Sequence, residues 1–217
     1  MKGTINERKG RIIASMYELS SIIEDFRMQV AGGLRSGLKI WMFGLLPSLM
    51  ANSEIWTEIS ADDIQSLEDI QYLLLQRIFS VPKTRPHAAL RWDTGAGSLE
   101  MEISKRKLLF LHHMINMDVK SLAKEILDVQ NSKHLPGLVP ECRSLLKSLN
   151  LPNIPDTKVA AGLSKIAWKR LVKEAIKENE VTKLKQELSS KSKLKDGPMA
   201  KEDFEEKEYL AKMKRQA

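Results

Sequence analysis

Apolar residues that recur every three or four positions, in one segment after another, restrict this chain to helices that pack through buried stripes. The stretch opened by Ser60-Ala61-Asp62-Asp63 shows the pattern most plainly. Ile64, Leu67, Ile70, Leu74, Leu75 and Ile78 fall on one side of a helix that runs to about Phe79. Composition agrees, because Gly and Pro contribute only 11 and 8 of 217 residues, and the 42% hydrophobic content suffices for the core of one domain, perhaps with an appendage.

The same spacing extends along the chain. Thr4-Ile5-Asn6-Glu7 fits a capping box for a helix from Ile5 to Val30, with Ile12, Ile13, Met16, Leu19, Ile22, Ile23, Phe26 and Val30 on one stripe, ended by Gly32-Gly33. Residues 34–50 carry Leu38, Ile40, Trp41, Phe43, Leu45, Leu46 and Leu49, apolar nearly all round, which predicts the most buried helix, kinked at Pro47. A turn over residues 81–86 precedes a short helix at 87–92 and a second turn at 93–97. A long helix over 98–116 follows, with Leu99, Ile103, Leu108, Leu111 and Ile115 inward. Shorter helices at 121–131 and 139–149 are divided by Leu135-Pro136-Gly137. The expectation is an all-α chain, an irregular helical bundle. Residues 1–150 form the main domain, 151–163 a Pro-containing linker, 164–195 a basic amphipathic helix capped by Ser164, and 196–217 a charged, solvated tail.

Sites for chemistry are scarce. Asp62 and Asp63 follow a good N-cap and favour the positive end of a helix dipole, so they read as capping residues rather than a metal-binding carboxylate pair. His112 and His113 are adjacent and diverge by about 100° on a helix, which prevents them from gripping one metal together. The single Cys142 has no activating base at helical spacing and reads as a structural thiol; it also excludes an internal disulfide framework. Gly32-Gly33-Leu34-Arg35-Ser36-Gly37 lacks the preceding strand and the lysine of a phosphate loop. Trp41, Trp56, Trp92 and Trp168 lie among apolar neighbours and read as core anchors. No secretion signal or spanning segment is visible, so a soluble intracellular protein, nuclear or cytoplasmic, is expected.

Charge is distributed unevenly. Of the net +7, residues from Lys158 onward hold 16 Lys and Arg against 10 Asp and Glu, and within Lys158 to Lys195 the count is 11 against 4. Lys165, Lys169, Lys173 and Lys177 recur every four residues, with Leu163, Ile166, Ala167, Leu171, Ala175 and Ile176 supplying an apolar face. Such a helix suits a phosphate backbone, an anionic membrane or another protein surface, and a solvated face is the plainest alternative.

Several phrases, in order, resemble the region beyond the polymerase core of non-LTR (LINE-type) retrotransposon reverse transcriptases. They are Glu7-Arg8-Lys9-Gly10, Ile22-Ile23-Glu24-Asp25, Gly32-Gly33-Leu34, Leu38-Lys39-Ile40-Trp41, Asn52-Ser53-Glu54, Val81-Pro82-Lys83 and Ala89-Leu90-Arg91-Trp92. Lys107-Leu108-Leu109-Phe110-Leu111-His112-His113, Ser121-Leu122-Ala123-Lys124-Glu125, Leu135-Pro136-Gly137-Leu138 and Lys193-Leu194-Lys195-Asp196-Gly197-Pro198-Met199 complete the series. The resemblance implies a helical thumb and post-thumb region that grips a template and primer duplex. No Tyr-x-Asp-Asp or Phe-x-Asp-Asp occurs, so no catalytic residue carries over; Mg²⁺ would belong to a palm outside this chain, and no cofactor is expected within it. The implied function is non-catalytic support of RNA or RNA–DNA duplex binding, with the polymerase palm as the protein partner, no membrane partner, and Lys165, Lys169, Arg170, Lys173 and Lys177 as contacts. Lys83 and Arg85 are lesser candidates. A helical protein-interaction module and a decayed retroelement remnant without independent function stand as alternatives.

Overall fold

The computed structural model describes residues 33–79, 81–82, 84–118, 120–133, 135–154 and 162–190, with residues 7, 10, 11, 13–15 and 17. Among them every regular element is a helix, and the class is all-α. In chain order these are α1 (Gly33–Ile40), a π-helical turn (Trp41–Leu45), α2 (Leu46–Leu49), a 3₁₀ turn (Ser53–Ile55), α3 (Ala61–Phe79) and α4 (His87–Thr94). There follow α5 (Leu99–Ile115), α6 (Leu122–Ser132), α7 (Leu138–Ser148) and α8 (Lys165–Ser190). The Thr4 capping box and most of the expected N-terminal stripe lie outside the described residues, as does the tail. Residues 7, 10, 11, 13–15 and 17 are helical, and Arg11 pairs with Glu7 one turn away at 2.5 Å. No helix among the described residues is long and apolar enough to cross a membrane.

Two compact units are present. The first holds α1 to α4 and α8 from Lys183 onward; the second holds the 3₁₀ turn, α5, α6, α7 and α8 as far as Thr182.

In the first unit, Leu38 of α1 meets Leu75 of α3 and Leu90 of α4, with Tyr72, Phe79, Val81 and Ala96 packed around them. Gly37 lets α1 approach α3 closely: a Cβ there would lie 3.0 Å from Ile78 Cγ2. Ser60 starts α3, its hydroxyl accepting the Asp63 N–H at 3.1 Å and donating to Asp63 Oδ2 at 2.7 Å, so the carboxylate is a capping group as expected. The segment 34–50 differs from expectation: among its described residues Leu38, Trp41, Leu45, Leu49 and Met50 are buried, while Phe43 is 75% exposed. The kink expected at Pro47 takes the form of the π turn just before it. Pro47 has no N–H for the α-helical bond; the preceding Leu46 N–H reaches five residues back to Trp41 O, and the Ser48 hydroxyl donates to Gly44 O at 3.3 Å. A second cluster in this unit joins Ala88, Ala89 and Trp92 of α4 with Leu184 and Leu188 of α8.

The larger core belongs to the second unit. Leu108, Leu111 and Met114 of α5, Leu127 of α6, Leu138, Val139, Cys142 and Leu146 of α7, and Trp168, Val172 and Ile176 of α8 enclose it. Leu151 and Ile154, from the stretch read as a linker, also pack there. Asn150 permits the turn out of α7 by adopting φ +52°, a left-handed conformation that asparagine tolerates better than most residues.

Candidate nucleic-acid interface

A helix whose buried row and basic row run side by side forms the candidate surface. The Ser164 hydroxyl accepts the Ala167 N–H at 3.2 Å and so starts α8 where its spacing predicted. Over the 26 residues of α8, Trp168, Val172, Ile176, Glu180, Leu184 and Leu188 are buried at a constant interval of four. Lys169, Lys173 and Lys177 each follow a member of that row by one residue and are exposed, as are Lys165 and Arg170. One residue is a rotation of about 100°, so the lysines flank the buried row along its length rather than lying directly opposite it.

Trp168 sets this rotation. Its indole N–H donates to Leu108 O at 3.1 Å and its ring stacks on His112 with 5.7 Å between centroids. Anchoring the helix there buries Val172 and Ile176 in turn and leaves Ala167, Leu171 and Ala175 half-buried. Ile166, assigned from spacing to the apolar face, is instead 82% exposed. It stands two residues, about 200°, from Trp168 and therefore within the basic arc. The spacing rule missed it because both phases of the helix contain apolar residues, and only the long-range indole hydrogen bond selects between them.

The five cations of the arc span thirteen residues, twelve rises or about 18 Å of helix axis. A single acid, Glu174, falls within that span. It accepts from Arg170 Nε at 2.9 Å, and this hydrogen bond raises the guanidinium pKa above its ordinary value. Arg170 is thus half-satisfied within the helix. The four lysines carry the unbalanced charge.

The lesser candidates differ in kind. Arg85 makes contacts within the first unit: its guanidinium pairs with Asp93, and its carbonyl accepts the Tyr72 hydroxyl at 2.5 Å. That pairing diminishes its availability for a phosphate. Lys83 lies outside the described residues.

Of the other polar groups singled out in the sequence, His112 and Cys142 are buried. His112 is buried with Nε2 3.1 Å from Leu163 O, whereas His113 is exposed, so the two rings diverge as expected. Burial pushes the Cys142 thiol up to about 12; nearby Lys107 opposes this and Glu141 adds to it. All four tryptophans are buried. No cluster of three or more His, Cys, Asp or Glu side chains suited to a metal occurs among the described residues. Comparison with protein-family models, with curated proteins and with solved structures finds no match for this chain.

Proposed function

We propose that the basic arc of α8 binds the phosphate backbone of RNA or of an RNA–DNA duplex, and that the chain does so without catalysis, as the thumb-like part of a retroelement RNA-directed DNA polymerase. The observation that carries the binding reading is the row of exposed Lys165, Lys169, Lys173 and Lys177 on a helix whose adjoining row is locked into a core. A rigid backbone presents these charges at intervals of about 6 Å, and lysine ammonium groups on flexible stems adapt to phosphates without reading bases. The polymerase context rests on the ordered phrases described above.

The reading is tested with fluorescence-labelled RNA–DNA duplexes of two unrelated sequences, titrated with the chain and with a Lys165→Glu, Lys169→Glu, Lys173→Glu variant. Equal affinity for both sequences, and an equal loss in the variant, is the expected result. Undiminished binding by the variant contradicts it.

Ile166 favours a second reading, a helical protein-interaction module. An exposed branched apolar side chain within a cationic arc suits an acidic protein surface with an apolar spot. Under that reading duplex binding is weak, and Ile166→Ala reduces capture of the protein partner without altering it.

A further inference from the structure

We propose that the outer face of α6 pairs with the same face of a second copy of this chain, forming an antiparallel two-fold dimer. Apolar residues lie on both sides of this helix. Leu127 is buried in the core of the second unit, and Ala123 packs against that core. Leu122, Ile126 and Val129 point the other way, exposed by 70%, 48% and 38%, and Leu135, beyond the helix end, is also exposed. Their spacing of four and then three residues is the seam of a two-helix contact, and Lys133, also exposed, occupies the next seam position.

Charge selects the occupant and its direction. Glu125 is exposed beside the seam near its start, and Lys133 closes the far end. A parallel pairing would place Lys133 on Lys133 and Glu125 near Glu125. An antiparallel pairing sets Lys133 of each copy over Leu122 of the other, its stem on the leucine and its ammonium toward the other copy's Glu125. The two-fold axis repeats this pair, so the surface is complementary to itself. Eleven helical residues extend only about 16 Å, and a contact of that length buries less than the roughly 800 Å² per partner of a standard interface. The dimer should therefore form at about tens of micromolar or above.

Sedimentation equilibrium of the full chain over a range of about 5 to 500 μM tests the proposal. The expected result is a monomer–dimer equilibrium that Leu122→Glu with Ile126→Glu abolishes, while the circular-dichroism melting curve stays in place because both side chains are exposed. Glu125→Lys weakens association about tenfold, and adding Lys133→Glu restores it. A chain that remains monomeric, association that survives the double glutamate variant, or a charge swap that restores nothing each overturns the proposal. Loss of binding to anionic vesicles in the double variant, with no dimer in the parent, assigns the face to a lipid surface and likewise overturns it.

Discussion

Glu141 holds two elements with its two oxygens: Oε2 accepts from Lys107 Nζ at 2.6 Å and Oε1 accepts the Glu58 N–H at 2.7 Å. Glu58 sits at φ +55°, an unfavourable conformation for a residue with a Cβ, and the hydrogen bond from its own N–H helps to keep it there. Lys107 is buried, so Glu141→Ala strands an ammonium in the core. A loss of about 3 kcal/mol is expected in chemical denaturation, at the low end for broken buried pairs because Glu141 is partly exposed. Glu141→Ala combined with Lys107→Met should recover most of that loss, because the buried charge is then gone. The neighbouring Cys142 gives a pH test. Its folded pKa is raised from 9.0 to about 12, so the folded state retains the thiol proton while the unfolded state loses it. The thiol's contribution to stability is complete below pH 9.0 and is lost as pH rises toward about 12, at no more than about 1.4 kcal/mol per pH unit. Replacing Cys142 with Ala should remove this component from the pH profile. In the native chain the thiol should react with a disulfide reagent at pH 8 far more slowly than after denaturation.

At the scale of elements, α8 distinguishes what spacing reveals from what it leaves open. The helix, its Ser164 cap and its exposed lysines all follow from local pattern. Its rotation does not, because Ile166 and Leu171 compete with Trp168 and Val172 for the inward phase, and the Trp168 bond to Leu108 comes from sixty residues away. Val172→Ala is therefore expected to destabilise by about 1 to 3 kcal/mol, whereas Ile166→Lys should change stability by less than about 0.5 kcal/mol. Thermal or chemical denaturation of the two variants checks this ordering, and a larger effect at Ile166 would contradict the observed rotation. The segment 34–50 departs from expectation for a related reason: a run that is apolar all round identifies a helix but not its inward side, and the π turn before Pro47 shifts the phase. In α3 one phase dominates: of the residues that spacing placed inward, Leu67, Ile70, Leu74, Leu75 and Ile78 are buried and Ile64 is half-buried, while Leu73, off that stripe, is exposed.

For the whole molecule, the proposed polymerase context rests on ordered phrases whose described residues include many that pack. Leu38, Trp41, Ser53, Ala89, Leu90, Trp92, Lys107, Leu108, Leu111 and His112 are buried, and their positions follow from core formation. Such residues speak to the fold, whereas a binding role must rest on the exposed cations of α8. The direct test is the salt dependence of RNA–DNA duplex binding by the full chain, compared with the Lys165→Gln, Lys169→Gln, Lys173→Gln variant. If each lysine displaces one counterion, the slope of log affinity against log salt should fall in magnitude by about 3, with affinity decreasing at every salt concentration. An unchanged slope would contradict phosphate binding by this helix.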